Sequence, residues 1–267
     1  MEKSPKELSL EKKILGLVAG KPKRAAEIIF HDPEVDALQN YANTVSIGRL
    51  HYNDHGPVHM KKVAHNALIL TELLKTAGIE LTLGREESGS FEDSTVAVVT
   101  AALLHDVGMT IGREDHQNLG IMLAVPVIDR VLKKLYPEDL LKQVTIRSLV
   151  IECIIGHMGT HKIHSLEAGI ILIADGCDME KGRARIPMAM NTDSRVGDIH
   201  KYSSAAVTKV RIEKGKTKPI GITVLMTESV GFFQVEEVLF TKIAASSIKE
   251  YIELYAGIKG EELKRYL

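Results

Sequence analysis

The segment Ala101-Ala102-Leu103-Leu104-His105-Asp106-Val107-Gly108 is an apolar run that ends abruptly in a histidine and an aspartate. Burying polar groups without partners costs roughly 2–7 kcal/mol each, so two ionisable side chains at the end of a buried segment need a partner. A divalent cation is one such partner, because imidazole nitrogen and carboxylate oxygen both coordinate it. An isolated His-Asp pair could instead lie at the surface or at a capped helix end. Further histidines and carboxylates in similar settings would favour the metal site.

The pattern recurs twice farther along the chain. The apolar segment 149–155 leads to His157, and the segment 170–174 ends in Asp175. We expect these runs, together with 96–104, to be buried helices, because they extend over helical windows and contain alanines. Buried parallel strands with a site at their carboxyl ends are the alternative. As helices, the three runs would place imidazoles and carboxylates at their C-terminal ends. The helix dipole favours positive charge there, and therefore a bound cation.

Further histidines stand near expected helix starts. Pro57 is expected to begin a helix, with His55 just outside it and His59 in its first turn. His116 follows a polar stretch and precedes another apolar segment. In chain order the candidate metal ligands are His59, His105, Asp106, His116, His157, His161 and Asp175.

Seven candidates exceed what one zinc-type site with an open position uses, and they suit a pair of metals. A compact basic group, Lys181, Arg183 and Arg185, follows Asp175. This group is either a solvated helix end or a clamp for phosphate oxygens, which arginine binds through two parallel hydrogen bonds.

Composition restricts the class of protein. The 267 residues are 45% hydrophobic and 26% charged with a net charge of −1, which is ordinary for a globular protein and gives no argument for nucleic acid or an anionic membrane. An aromatic content of 4% without tryptophan argues against a base-stacking surface. Two cysteines in apolar surroundings, a polar N-terminus and the lack of an 18-residue apolar run favour a cytoplasmic chain without a membrane partner.

The pattern of elements predicts a mainly α fold with a small C-terminal α+β appendage. We expect N-terminal helices over 1–48, a metal-binding helical core over 49–190 and an α+β module over 195–267. In that module, strands are expected over 205–213, 220–226 and 232–240, followed by a helix over 241–256. Packing, covering the site or dimerisation are its expected roles, so a homodimer stays open.

Local signals predict where helices begin and end. Asp93 or Ser94 is expected to cap the helix that leads to His105, and Gly108 to follow its C-terminus. Pro126 is expected to end one helix or to start the next.

The ordered set His59, His105-Asp106 and Asp175 resembles the HD-domain metal-dependent phosphohydrolase superfamily, over about residues 50–185. The intervening His116 and His157 resemble its dinuclear subset, which includes the HD-GYP phosphodiesterases. The resemblance implies an HD-domain helical core. In it, one metal would be held by His59, His105, Asp106 and Asp175, and Asp106 would also bridge to a second metal. His116 and His157 would hold that second metal, with His161 or His164 as an extra ligand. It implies two divalent ions among Fe, Mn, Ni, Co and Zn.

Two departures separate the chain from HD-GYP proteins. Met109 stands where they carry lysine, and the Gly-Tyr-Pro motif is absent, so hydrolysis of cyclic di-GMP is not expected. The resemblance implies cleavage of a phosphoester in a nucleotide or other small phosphorylated metabolite by a metal-bridging hydroxide. Asp106 and His55 would be the catalytic residues. His55 would protonate the leaving group, as the earlier histidine does in the similar cyclic-nucleotide phosphodiesterase region, whereas HD-GYP proteins carry a further metal ligand at that offset. Lys181 and Arg183 would bind phosphate oxygens. A mixed-valent diiron oxygenase and a non-catalytic sensor of metal or nucleotide are the alternatives.

Overall fold

Helices form most of the chain that the computed structural model describes, which comprises residues 2–181 and 199–267 without the side chains of residues 200 and 201. In chain order they are α1 (Pro5–Leu17), α2 (Gly20–Phe30), α3 (Pro33–Thr44), α4 (Pro57–Thr76), α5 (Thr82–Arg85), α6 (Phe91–Leu104), α7 (His116–Leu135), α8 (Leu140–Gly156), α9 (Leu166–Gly176), α10 (Ile199–Ala206) and α11 (Thr241–Ala245). Two segments are π-helical, Val45–Arg49 and Gln234–Phe240, and three are 3-10 turns, Val107–Thr110, Ser229–Gly231 and Lys249–Tyr251. The predicted mainly α fold with a C-terminal appendage is confirmed.

The centre of the core consists of α6 and α9. Every residue from Asp93 to Leu104 is buried in α6, and every residue of α9 is buried. α6 packs against α2, α4, α8 and α9. A helix that is apolar all round has no face for water and therefore occupies the centre of a bundle. The three apolar runs are helices, and the alternative of buried parallel strands is wrong.

The start of α6 lies one turn earlier than either predicted cap. Ser90 is the N-cap, and its hydroxyl accepts from the Asp93 backbone N–H at 3.2 Å while the Asp93 carboxylate accepts from the Ser90 N–H at 2.9 Å. This reciprocal pair is a capping box, in which the acidic residue stands at the third helical position. The same carboxylate accepts from the Tyr136 hydroxyl at 2.6 Å and the Lys142 ammonium at 3.1 Å, which ties the start of α6 to α7 and α8.

α7 runs without interruption through Pro126, so the predicted boundary there is wrong. Proline removes one backbone hydrogen bond from a helix interior. In α7, buried side chains on both sides of it, Ala124, Val127 and Ile128, pack in the core and offset that cost.

Gly108 has a packing role and not the predicted role after a helix C-terminus. It lies in the 3-10 turn Val107–Thr110, and its backbone is not left-handed. A Cβ atom at Gly108 would overlap the His116 carbonyl oxygen and approach the Gly120 backbone nitrogen to 2.7 Å. The absence of a side chain therefore lets this turn touch the start of α7, which brings His116 next to Asp106.

The C-terminal module contains a four-stranded sheet in the order β1 (Val207–Lys214), β2 (Ile220–Met226), β3 (Ile252–Ile258) and β4 (Lys264–Arg265). β1 pairs with β2 and β3 with β4 in antiparallel fashion, whereas β2 and β3 are parallel. Parallel neighbours need a crossover connection. The chain between β2 and β3 supplies it with the π-helical segment Gln234–Phe240 and α11, which packs against α9.

This crossover corrects two predictions. Residues 232–240 are not a strand, and residues 241–256 are not one helix, because α11 ends at Ala245 and β3 follows. The buried side chains Val235, Leu239 and Ile243 recur every four residues, which is a helical spacing. The predictions for the first two strands are confirmed within two residues.

A buried lysine joins the N-terminal helices to the core. α1 packs on α4, where the buried Lys61 ammonium pairs with Glu7 at 2.9 Å and Glu11 at 3.1 Å. Cys153 and Cys177 are buried free thiols. Within the described ranges, no helix combines the length and the apolar content that crossing a bilayer requires. The division into three parts stays a prediction.

Candidate metal centre

Five helix ends meet at one buried point of the core. They are the N-terminal turns of α4 and α7 and the C-terminal ends of α6, α8 and α9. The side chains that meet there are His59, His105, Asp106, His116, His157 and Asp175, all of them buried.

Four of these side chains form what we name the A site, made of His59, His105, Asp106 and Asp175. His59 Nε2 lies 3.2 Å from His105 Nε2, 3.2 Å from Asp106 Oδ2 and 3.2 Å from Asp175 Oδ1. His105 Nε2 lies 3.4 Å from the same Asp106 oxygen and 3.9 Å from the same Asp175 oxygen. Two imidazoles and two carboxylates therefore converge on one point.

The B site consists of Asp106, His116 and His157. The Nε2 atoms of the two histidines lie 3.2 Å apart, and Asp106 Oδ1 lies 3.2 Å from His116 and 3.3 Å from His157. Asp106 thus presents Oδ2 to the A site and Oδ1 to the B site. This is the arrangement of a carboxylate that bridges two cations.

The distances between donor atoms suit transition-metal ions. Bonds of about 2.0–2.2 Å hold neighbouring ligands roughly 2.8–3.6 Å apart at tetrahedral or octahedral angles. There are two groups of three donors, and within each group all the donor atoms lie within 4.8 Å of one another. One group is His59, His105 and Asp106, and the other is Asp106, His116 and His157. Most of the separations given above fall in the range that one ion per group requires.

Hydrogen bonds from Nδ1, the ring nitrogen on the side away from the site, orient three of the imidazole rings. His105, His116 and His157 each place Nδ1 within hydrogen-bonding distance of the backbone carbonyl three residues earlier in the chain. The accepting oxygens belong to Ala102 at 2.9 Å, Arg113 at 2.8 Å and Ile154 at 2.6 Å. A carbonyl only accepts, so each ring donates from Nδ1 and the neutral ring presents an unprotonated Nε2.

His59 is oriented by a carboxylate instead. Its Nδ1 donates to Asp178 Oδ2 at 2.7 Å, so that Nε2 faces the A site. The facing Nε2 atoms of His59 and His105 then both carry lone pairs, and neither can donate to the other. The same holds for His116 and His157 in the B site. A cation between each pair turns this repulsion into coordination, so the donor set fits two bound metals.

The protonation states agree with metal binding. Burial by itself raises the pKa of the Asp106 carboxyl, but the three imidazoles around it, His105 above all and then His116 and His157, outweigh burial and hold that pKa well below its usual range. Burial lowers the pKa of His157 to about 4. At neutral pH the site therefore contains an anionic aspartate and a neutral imidazole, which are the ligating forms.

A cavity of about 750 Å³ opens over Asp106, His157 and Asp175. One wall is the segment 50–55, which follows the π-helical Val45–Arg49, and another is the stretch from Gln234 to Lys242, which begins with the second π-helical segment. Short π-helical insertions occur frequently at functional sites. His51, in the first of these walls, has a left-handed backbone with φ of 57°, which is uncommon for a residue other than glycine.

His55, the predicted proton donor, is buried and lines this cavity. Its Nδ1 lies 2.6 Å from the Asn53 carbonyl oxygen and 2.8 Å from the Ser46 hydroxyl. The centres of the His55 and His59 rings are 5.8 Å apart. A π-helical segment and the loop that follows it thus hold His55 beside the A site.

Other predicted site residues do not reach the cluster. His161 is exposed and belongs to neither group of donors among the described residues, and His164 is also exposed. Lys181 is exposed, bonds the start of β1 through its backbone N–H and does not line the cavity. Arg183 and Arg185 lie outside the described residues.

Three residues at the site carry no role in the sequence prediction. Lys242 contacts Asp175 Oδ2 with its ammonium and donates to the His157 carbonyl oxygen at 2.8 Å. Arg113 lines the cavity with its guanidinium 5.9 Å from the centre of the Tyr52 ring. The sequence could have placed Asp178 at the site, because it follows Asp175 by about one helical turn. No such signal existed for Lys242, which lies 67 residues beyond Asp175 in a segment with no recognisable motif.

Comparison with known proteins agrees with this geometry. The family model described as HD domain matches residues 58–180, a range that contains the whole A and B sites. The uncharacterized protein MJ1020 of Methanocaldococcus jannaschii is 38% identical over 248 residues, which cover 93% of this chain and 93% of that protein. No solved structure matches the chain. On the matched residues and the buried His/Asp cluster within them, the chain belongs to the HD-domain family.

Proposed function

We propose that this protein is a metal-dependent phosphohydrolase that cleaves a phosphoester in a nucleotide or another small phosphorylated metabolite. The observation that carries the proposal is the position of Asp106. Its two carboxylate oxygens face two separate groups of imidazoles at the floor of a cavity. Paired cations in such an arrangement are a recurring solution to phosphoester hydrolysis.

The donor set indicates which ions the protein would hold. His59, His105, Asp106 and Asp175 would hold one ion, and Asp106, His116 and His157 the other. Imidazole and carboxylate ligands suit Fe, Mn, Co, Ni and Zn. When bound, two such cations supply positive charge for phosphate oxygens and lower the pKa of coordinated water toward neutrality.

The protein's own side chains would do the remaining work. The Asn53 carbonyl oxygen, 2.6 Å from His55 Nδ1, fixes that ring, so a proton given to the leaving oxygen would come from Nε2. Arg113 brings a guanidinium to the cavity wall, where it would bind a phosphate oxygen. The burial of Asp106, His116 and His157 keeps bulk water away from the metal ligands.

The cavity also limits the size and chemistry of the substrate. Its volume of about 750 Å³ falls within the range of small-molecule sites, about 300–1,000 Å³. Tyr52, Met158 and Met179 give one part of the lining an apolar character that suits an organic group attached to the phosphate. A mononucleotide-sized phosphoester fits these limits.

The proposal is tested by activity after metal replacement. The full chain is stripped of metal and reloaded anaerobically with Mn, Fe, Co, Ni or Zn, and phosphate release is measured with p-nitrophenyl phosphate, bis-p-nitrophenyl phosphate and a panel of nucleotides. We expect metal-dependent turnover that Asp106→Ala lowers by about a thousandfold, because the loss of both cations removes several kcal/mol of charge stabilisation. His161→Ala, a change at an exposed histidine, should retain wild-type turnover.

Two outcomes would contradict the proposal. Two tightly bound irons with oxygen consumption and no phosphate release would identify a diiron oxygenase. Metal and nucleotide binding without turnover of any phosphoester would identify a sensor.

A further inference from the structure

We propose that Lys242 binds a phosphate oxygen of the substrate, so that the C-terminal module completes the active site. The inference rests on the proposed phosphohydrolase function. Lys242 lies outside residues 58–180, which the HD-domain model covers, and so belongs to a part of the chain that the family match does not describe.

Lys242 lies in the crossover between β2 and β3, next to the metal centre. Lys242 lies in the first turn of α11, which packs against α9, and its side chain is 12% exposed. Gly176 ends α9, and a Cβ atom at that position would come within 3.0 Å of Lys242 Cδ. The glycine therefore leaves a passage through which the aliphatic part of the lysine reaches the A site.

The ammonium group connects the two metal sites. It pairs with Asp175 Oδ2, while Asp175 Oδ1 faces His59 in the A site. It also donates to the backbone oxygen of His157, whose ring belongs to the B site. These two contacts hold Nζ at one place on the cavity wall.

The geometry leaves one donor for a ligand. An ammonium has three N–H groups, and Asp175 and His157 take two of them. Within the described ranges no further acceptor for Lys242 is observed, and the residue lines the cavity. The third N–H can therefore donate to an oxygen of a phosphate placed over Asp106.

The charges around the cavity favour this role. In the described part of the chain, Lys242 and Arg113 are the lysine and arginine that line the cavity, whereas Asp106, Asp175, Asp178 and Glu237 bring negative charge to the same lining. Charge-assisted hydrogen bonds from lysine or arginine are a common means of holding phosphate. A lysine already fixed by Asp175 can make that bond without first ordering its side chain.

The test compares Lys242→Met, which keeps the length of the side chain without its charge, with Lys242→Arg and the wild type. Lys249→Met, a change at an exposed lysine of the same module, is the matched control. For each metal-loaded full chain, metal content is measured by mass spectrometry, binding of inorganic phosphate by calorimetry, and KM and kcat with the best substrate found. Phosphate binding provides a readout that does not depend on turnover.

We expect Lys242→Met to retain two metals while the Kd for phosphate and the KM each rise by about tenfold or more. Lys242→Arg should restore most of the affinity, and Lys249→Met should match the wild type. Wild-type phosphate affinity in Lys242→Met would overturn the inference, and so would loss of a metal from that variant, since the lysine would then act through Asp175 alone. A wild-type protein that neither binds phosphate nor hydrolyses a phosphoester would instead overturn the proposed function.

Discussion

At the scale of single residues, the orientation of His59 distinguishes it from the other three histidines of the centre. His105, His116 and His157 each bond a carbonyl three residues away, so the local turn of the chain fixes their rings. His59 depends on Asp178, which is 119 residues distant. The A site therefore relies on a long-range contact that the B site does not need.

We predict that Asp178→Ala weakens metal binding at the A site by about 10- to 100-fold, because partners that orient a ligating histidine typically contribute that much. The B site should keep wild-type affinity. Titration of the metal-free protein against a chromophoric chelator resolves the two affinities. Asp129→Ala, which removes a surface ion pair with Arg147, is the control and should change neither. Equal affinities in Asp178→Ala and the wild type would show that Asp178 does not orient His59.

The residue types of the site could be predicted better than its supporting contacts. The histidines and aspartates of the A and B sites follow apolar runs or begin helices, and these signals are local. The proximity of Lys242 to Asp175 results from packing between segments 67 residues apart, and no local pattern encodes it. His161 shows the opposite error, because a histidine close in sequence to His157 is exposed in the fold.

At the scale of elements, the contact between the turn Val107–Thr110 and α7 sets the distance between the two parts of the B site. Gly108 lies against the carbonyl oxygen of His116, the first residue of α7. We predict that Gly108→Ala costs about 1–3 kcal/mol of stability, as overpacking does, and lowers metal occupancy of the B site by moving His116. Chemical denaturation and metal analysis measure the two effects.

Gly112→Ala is the matched control for this change. It lies just beyond the same turn, and an added Cβ there would meet no atom within 4 Å. Its stability and metal content should equal those of the wild type. If Gly108→Ala behaved in the same way as Gly112→Ala, the close contact would not position His116.

A second prediction at this scale concerns the start of α6. Burial alone raises the pKa of the Asp93 carboxyl, but hydrogen bonds from Tyr136, Ser90 and Lys142 outweigh it and lower the pKa below its usual value. A carboxyl with a depressed pKa in the folded state stabilises the protein fully above its unfolded pKa, near 3.9, and this contribution is lost as pH falls through the lower folded pKa.

Asp93→Asn should therefore cost about 1–3 kcal/mol at pH 7, and the difference from the wild type should shrink as pH falls below about 4. Urea denaturation of both proteins between pH 7 and pH 3 measures it. Tyr136→Phe removes one hydrogen bond and leaves the carboxylate, so it should show a smaller loss with a weaker pH dependence. A difference between Asp93→Asn and wild type that stayed constant over this range would contradict the role of the charge.

Helix boundaries could be predicted where a single side chain marks them. Asp32 caps α3, Pro57 begins α4 and Ser165 caps α9, and each signal stands within a few residues of the boundary. The boundary predicted at Pro126 is wrong because tertiary packing of α7 offsets the loss of one backbone hydrogen bond there. The stretch 232–240 misleads because a partly buried π-helical segment contains the same apolar residues as a strand.

At the scale of the whole molecule, the helical core and the C-terminal module enclose the cavity from different sides. The apolar runs of α6 and α9 predicted buried elements, and their length and alanines favoured helices over the alternative of parallel strands. The docking of the module could not be predicted, because a parallel β2–β3 pair and its crossover depend on contacts far apart in sequence.

We predict that metal binding stabilises the whole fold. Ligands that bind only the folded chain add about 2.7 kcal/mol at 100 times their Kd, so chelation should lower the Tm by roughly 5–10 °C in a protein of this size. Calorimetry with and without a chelator measures the shift. Asp106→Ala should show almost none. A Tm of the wild type that did not respond to chelation would indicate that the core forms without any contribution from the metals.

The most direct test of a dinuclear centre bridged by Asp106 is the number of metal ions per chain in a set of single variants. We predict two ions in the wild type and in His161→Ala, one in His59→Ala and in His116→Ala, and fewer than one in Asp106→Ala, measured by mass spectrometry after anaerobic reloading. Two ions retained in Asp106→Ala would contradict the account.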